Sequence, residues 1–388
     1  MNRLLTLAGL LVFFVFTVMR CSDDPSELGK GVVSPNDGLK IDSVTSYAVR
    51  DTTFLFEVSG AGNTLVGSYQ AVGSNQILEV RALMQFTGFT TIASTVTVDS
   101  AVITLPIDYK FLDSTGTIAF EVHEMLNSWS QSTYKWDSTF VANDYNITPA
   151  ATFLGNIVPK DTMIQFHVDQ LVRNWVQAGT NAPEGIMLIP SNISSTLVIG
   201  SLANTLIETR PHVIVYYRNG ADTTQTSTFY TTQRSFIANA PQPINSGTMF
   251  TQAGVAYRTR VLFDSLVLPK FASINRAILS LSFDGLNSEV NQYTRDSLFV
   301  YLERKNVYPF DSLAYTTVCA PITNGTQKIF QANVTQIVQA WINREPNYGV
   351  LLQVYDEYSN VDRFAWNGSS SFQQTLRPKL TVTYTTFK

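Results

Sequence analysis

The sequence predicts an all-β protein built as two tandem β-sandwiches of jelly-roll type, each carrying one short amphipathic helix. Three observations carry this. Apolar and polar residues alternate along many short segments, as in Ala277-Ile278-Leu279-Ser280-Leu281-Ser282-Phe283 and His212-Val213-Ile214-Val215-Tyr216-Tyr217, the period of a half-buried strand. Charged residues are only 14% of the 388, and polarity comes from Thr, Ser, Asn and Gln in a background of strand-favouring Val, Ile, Thr, Tyr and Phe. The same series of landmarks also occurs twice.

The landmarks fix the organisation. RALMQF at Arg81–Phe86 returns as RTRVLF at Arg258–Phe263, and VTVDSAVITLPI at Val96–Ile107 as ASINRAILSLSF at Ala272–Phe283. VDQLVRNW at Val168–Trp175 returns as VTQIVQAW at Val334–Trp341, PEGIMLIP at Pro183–Pro190 as NYGVLLQV at Asn347–Val354, and TRPHVIVYY at Thr209–Tyr217 as LRPKLTVTY at Leu376–Tyr384. The offsets are 177, 176, 166, 164 and 167 residues. A period this long marks duplicated domains, not a solenoid. One segment per copy is helical: Val168, Leu171, Val172 and Trp175 fall at i, i+3, i+4, i+7, and Val334, Ile337, Val338 and Trp341 repeat that face. Gly179 and Pro346 supply the stop signals. These readings place domain one at residues 41–218. Residues 219–388 hold a linker and domain two, and the first strands of domain two lie near Phe229, Tyr230, Phe236 and Ile237.

The N-terminus sets the compartment. Arg3 precedes an uncharged apolar run, Leu4 to Met19, as in a secretory signal at residues 1–20. A membrane-spanning anchor is the alternative, since 16 residues fall just short of a bilayer span. The run closes on Cys21, which resembles the lipidation site of bacterial lipoproteins, with Arg20 departing from the small residue usual there. Ser22-Asp23-Asp24 resembles the acidic export signal of lipoproteins displayed on the outer face of the outer membrane. Residues 21–40, rich in Gly and Pro, read as a tether to the first domain. The expected partner at this end is membrane lipid, through Cys21. The net charge is −4, with 26 basic against 30 acidic residues, and loss of Arg3 and Arg20 makes it −6. No basic stripe exists to neutralise phosphates, so nucleic acid is not an expected partner.

The order of elements resembles the disaggregatase-related, or DNRLRE, repeat: an apolar strand, a strand ending A-x-I-x-L, a W-S-x-S-T-x-x-W box, the V-x-x-L-V-x-x-W helix, a G-hydrophobic strand and a final R-P strand. The first copy carries every element, with the box as WSQSTYKW at Trp129–Trp136. The second reads YPFDSLAY at Tyr308–Tyr315 and keeps aromatics at the same separation without the tryptophans. The N-terminal part, with LVGSY at Leu65–Tyr69, is also similar to an uncharacterised surface-lipoprotein family. What the repeat resemblance implies is a jelly-roll module on exported proteins, in some members a carbohydrate binder.

Signatures of chemistry are sparse. His123, His167 and His212 are far apart, and no H-E-x-x-H, C-x-x-C, G-x-S-x-G or Walker pattern occurs. No catalytic residue, metal or cofactor is therefore expected. Asp356 and Glu357 are the only carboxylates beside aromatics that suggest a pair, and a solvated turn accounts for them better. Aromatic rings stack on sugars because axial C–H bonds meet their electron-rich faces. The candidate ligand contacts are Trp129, Tyr134 and Trp136 of the first box, Tyr308 and Tyr315 of the second, and Trp366 beside a turn. Packing into the core is the competing role for Trp129 and Trp136, and core is the expected place of Trp175 and Trp341. The leading expectation is a non-catalytic, surface-exposed lipoprotein that binds polysaccharide or another extracellular polymer, mainly through domain one. A structural or adhesive scaffold for protein partners comes next, and a glycan-active enzyme last.

Overall fold

The computed structural model describes residues 38–387 apart from 57–68, 108, 112–114, 132–133, 135, 137–143, 192–197, 203–209, 222, 242–246, 292–295, 307–314, 325–326 and 358–359. Cys21, the apolar run, the tether up to residue 37 and Tyr308 lie outside the described residues, and Leu39 and Lys40, expected in the tether, already belong to the first strand. The described residues are all-β with two short α-helices, as expected.

It opens with β1 (Leu39–Tyr47) and β2 (Arg50–Leu55). The first landmark series then forms β3 (Tyr69–Ser74), β4 (Glu79–Phe86), β5 (Thr97–Pro106), β6 (Tyr109–Phe111), β7 (Gly116–Glu124), β8 (Ala151–Ile157), β9 (Met163–His167), α1 (Asp169–Gln177), β10 (Ile186–Pro190), β11 (Val198–Leu202) and β12 (His212–Arg218), followed by β13 (Gln225–Asn239). The second forms β14 (Thr248–Gln252), β15 (Tyr257–Leu262), β16 (Ser273–Ser282), β17 (Leu298–Leu302), β18 (Thr316–Asn324), β19 (Gln327–Asn333), α2 (Thr335–Ile342), β20 (Val350–Val354), β21 (Arg363–Asn367) and β22 (Lys379–Phe387).

Hydrogen bonding divides these strands into two eleven-stranded antiparallel sheets, each folded into layers over its own core. In the first, β5 lies between β9 and β12, while β10 joins β4 to β7. Alternation places Ala101, Ile103 and Leu105 of β5 inside, against Phe120, Phe166 and the α1 face of Leu171, Val172 and Trp175. In the second, β16 lies between β19 and β22, and β20 joins β15 to β17. Ala277, Leu279 and Leu281 of β16 face Phe330, Trp366 and α2. Both helices keep the expected face, but Trp175 is buried whereas Trp341 is half-buried. α1 stops at Gly179 (φ 62), and after α2 the left-handed position is held by Arg344 (φ 91), two residues before the expected Pro346.

Strand pairing runs across the expected boundary at 218/219. The first half of β13 pairs with β12 and its second half with β4, with a register shift between Thr231 and Gln233 carrying it from one layer to the other. β13 thus belongs to the first sandwich. β1 pairs with β22 over nine registers and β2 with β15 over six, so residues 39–55 belong to the second. Composition marks where turns and linkers fall, but pairing partners hundreds of residues apart leave no local signal. The sandwiches touch through a third apolar cluster that includes Val80, Phe111, Phe236, Val255, Tyr257 and Val361. There the Tyr257 hydroxyl donates to the Ala240 carbonyl at 3.1 Å.

Candidate functional site

The aromatic residues singled out from the sequence separate sharply by burial. Trp129 is only 7% exposed; it packs with Leu83, Met125, Met187 and Ile237 and donates Nε1–H to the Glu184 carbonyl at 2.8 Å. Tyr134 is half-buried, edge-on to Trp129 with centroids 6.2 Å apart, and burial together with the Asp144 carboxylate pushes its phenol pKa up. Trp136 is half-buried, with the Arg81 guanidinium 4.1 Å from its ring centre. The box of the first copy therefore seals the outside of its sheet. Trp366, expected beside a turn and open to solvent, is fully buried among Phe283, Phe330 and Phe364, and its Nε1–H donates to Thr251 Oγ1 at 3.2 Å. It sits inside β21, which runs one residue further, to Asn367, before the turn begins. Tyr315 alone among the described candidates is exposed, at 44%.

Tyr315 enters β18 with a left-handed backbone, φ 53, a conformation that costs a non-glycine residue about 1–3 kcal/mol. It stands at a groove of about 490 Å³ lined also by Asn275, Thr316, Thr317, Asn333, Thr335 and Gln336. β16, β19, β18 and the first turn of α2 meet here. Among the described residues no charged side chain lines the groove. Its floor is held in place: Asn333 Oδ1 accepts from Thr335 Oγ1 at 2.6 Å, and Thr335 Oγ1 accepts from the Ala277 amide at 2.9 Å. The Asn275 amide donates to Thr385 Oγ1 at 2.8 Å. Such a surface offers hydroxyl and amide donors and acceptors next to one flat ring.

The landmark offsets place Asp99, His167 and Asp169 of the first copy where Asn275, Asn333 and Thr335 stand in the second. Asp169 Oδ1 accepts from the Ala101 amide at 2.7 Å, the same contact that Thr335 makes with Ala277. Asp99 is paired with Arg218, whose Nη2 is 2.7 Å from its Oδ1. The duplicated position is thus charged in the first sandwich and neutral in the second.

Sequence reasoning pointed to no Ser/His/Asp group, yet the first sandwich brings Ser100, His167 and Asp169 together. Ser100 Oγ is 3.3 Å from His167 Nδ1, Asp169 Oδ1 is 3.4 Å from the same nitrogen, and the Ser100 hydroxyl donates to Asp169 at 3.2 Å. Nucleophile and carboxylate share one ring nitrogen, whereas a catalytic triad needs them on opposite ones. The arrangement instead ties Asp169, the first residue of α1, to β5 through Ser100 and the Ala101 amide. His123 is buried between the Asn146 carbonyl and Glu121, and His212 Nδ1 lies 2.9 Å from the Arg210 carbonyl. Glu357, read as half of a possible carboxylate pair in a solvated turn, is buried in a bidentate pair with Arg258 at 3.0 and 2.7 Å. Among the described residues no three His, Cys, Asp or Glu side chains converge as a metal site, and no helix is long and apolar enough to cross a membrane.

No family model and no curated protein matches the chain. Among solved structures, similarity is found to the infectious bursal disease virus VP2 subviral particle, at 9% identity over 91% of this chain and 78% of that one, with a TM-score of 0.12. T=1 particles derived from the same virus give 10% identity, 94% and 79% coverage, and a TM-score of 0.10. Overlaps this loose carry no argument.

Proposed function

We propose that the chain is a non-catalytic lipoprotein of the outer bacterial surface whose second sandwich binds a neutral carbohydrate polymer in the groove beside Tyr315. The supporting observation is the pairing of an exposed aromatic ring with a described lining of amides and hydroxyls that contains no charge. Sugars present C–H faces to a ring and hydroxyls to amides, and they need no counter-charge. This moves the binding site from the first-copy box, where the sequence placed it, to the second copy. Attachment through Cys21 and display outside the cell rest on the N-terminal sequence alone.

The test uses the full chain made soluble by Cys21→Ser, titrated calorimetrically against neutral and anionic polysaccharides. Neutral polymers are expected to bind, and Tyr315→Ala or Gln336→Ala to weaken them about tenfold, a loss of about 1.4 kcal/mol, with folding unchanged by circular dichroism. Full affinity in a folded Tyr315→Ala chain overturns the assignment. Failure of every polysaccharide to bind the unaltered chain favours the scaffold role instead. Fractionation of cells carrying Cys21→Ser tests the anchor: a protein that stays with the membrane has a retained apolar helix, not a lipid.

A further inference from the structure

The two sandwiches match strand for strand once β13 is compared with β1 and β2. Val44 pairs with Val382, whose counterpart by the final landmark is Val215, and Val215 pairs with Ser227. Thr52 pairs with Arg260, whose counterpart by the first landmark is Leu83, and Leu83 pairs with Ser235. Both routes, through different layers and different landmarks, give the same offset of 183 residues. Burial agrees: from Val44 to Val49 and from Ser227 to Thr232 the succession of half-buried, exposed and buried positions is identical. Each half of the duplicated chain has therefore placed its first strand in the other half's sandwich.

The fit is specific to this exchange. Phe229 stacks on Phe89 with centroids 4.5 Å apart, beside Gly88, where a Cβ would already lie 3.4 Å from the ring. By these offsets Ser46 stands for Phe229 and Ser265 for Gly88, and the two hydroxyls meet at 3.0 Å. Putting β1 in the place of β13 would leave a hole at Phe89, and the reverse would drive a phenyl ring into Ser265. Further ties hold β1 and β2 in place: Arg50 to Asp264 at 2.6 Å, Thr53 Oγ1 to Thr259 Oγ1 at 2.9 Å, and the Ser369 amide to Asp51 at 2.5 Å.

We infer that the second sandwich contains a strand-binding slot between β22 and β15 that holds residues 39–55 as a separable donor, and that the same segment of a second copy of this chain replaces it there in a reciprocal exchange. Without residues 39–55 the slot would present two open strand edges, those of β22 and β15, and the core beneath Val44 and Ala48, so it recognises an extended segment through its backbone and through alternate side chains. The donor sits at the start of the described chain, joined to the first sandwich by the twelve-residue segment 57–68, which spans at most about 40 Å when extended. A donor supplied by a second copy is chemically identical to the chain's own, and concentration decides between them.

Two measurements test this on the full Cys21→Ser chain. A protease site is inserted within 57–68 and cut. The 39–56 piece is expected to co-elute with the remainder and to be displaced by excess labelled 39–56 peptide, but not by that peptide carrying Val44→Asp and Ala48→Arg. Immediate release with unchanged amide protection of β15 and β22, or equal displacement by the substituted peptide, overturns the slot. The second copy is tested with Thr45→Cys and Thr381→Cys, positions paired in register with side-chain oxygens 3.5 Å apart. Refolding at rising concentration followed by oxidation is expected to give disulfide-linked dimers in rising proportion. Linkage within single chains at every concentration overturns exchange between copies.

Discussion

The indole of Trp175 donates to Glu124 Oε1 at 2.6 Å, whereas the matching indole nitrogen of Trp341 is buried and finds no partner among the described residues. The difference follows from register. Ile186 pairs with Glu124, and its counterpart Val350 pairs with Leu302, so the second copy has an alkyl group where the first has an acceptor. Trp175→Phe is expected to cost about 1.5–3 kcal/mol, the worth of a hydrogen bond to a charged group. Trp341→Phe discards a donor that was already unpaired, so it is expected to cost under about 1 kcal/mol. Amide hydrogen exchange resolved by sandwich reads each separately, and equal losses would contradict the register argument.

Acid should act on the two helices differently. Burial pushes the Asp169 carboxyl pKa up, but the Ala101 amide, His167 and Ser100 outweigh it and hold it below the ordinary carboxylate value. A depressed folded-state pKa contributes stability that is present above the unfolded value, about 3.9, and is lost as pH falls through the lower folded one. Protection of α1 is therefore expected to decline below about pH 4, and Asp169→Asn to flatten that decline. Thr335 makes the same contact in the second copy without a titrating group, so α2 should lack this component. A matching acid limb at α2 would assign the effect to something other than Asp169.

The first-copy box should behave as packing. Trp129→Ala removes a ring wedged among Leu83, Met125, Met187 and Ile237 and is expected to destabilise the first sandwich by about 3–5 kcal/mol. At a temperature where the variant is still folded, its affinity for a neutral polysaccharide should equal that of the unaltered chain. Reduced affinity in folded Trp129→Ala would return the binding site to the first copy.

Much of the fold was legible because its signals are local. The period-two alternation in β5 and β16 and the Val168–Trp175 spacing each report one buried face, and the structure buries those faces. The strand exchange was not legible. Ser46 and Phe229 occupy equivalent positions but do not resemble one another, because each fits the neighbour it meets after the exchange. Trp366 misled because the polar run after it, NGSSS, marks a turn without saying how deep the preceding strand lies. Tyr315 was visible only as an aromatic in the weaker box. Its groove is assembled from β16, β19 and α2, which no spacing along the chain brings together.

The glycines that open β10 and β20 explain one landmark and yield the sharpest mutational contrast. Gly185 (φ 99) and Gly349 (φ 88) are counterparts at the entrances to these strands. A Cβ on Gly185 would lie 2.0 Å from the Met84 carbonyl oxygen, and one on Gly349 would lie 2.2 Å from that of Val261. Both obstacles are backbone atoms of central strands, β4 and β15, which cannot yield without breaking the ladders on either side. Gly179, at the end of α1, has a comparable left-handed backbone (φ 62), and a Cβ there would meet nothing within 4 Å. Gly179→Ala is therefore expected to cost only the backbone strain, about 1–2 kcal/mol. Gly185→Ala and Gly349→Ala add a collision with main chain and are expected to cost about 3 kcal/mol or more, each in its own sandwich. Thermal unfolding of the three variants checks the order. If Gly179→Ala proved as damaging as the other two, strain alone would account for all three and the close backbone approach would carry no weight.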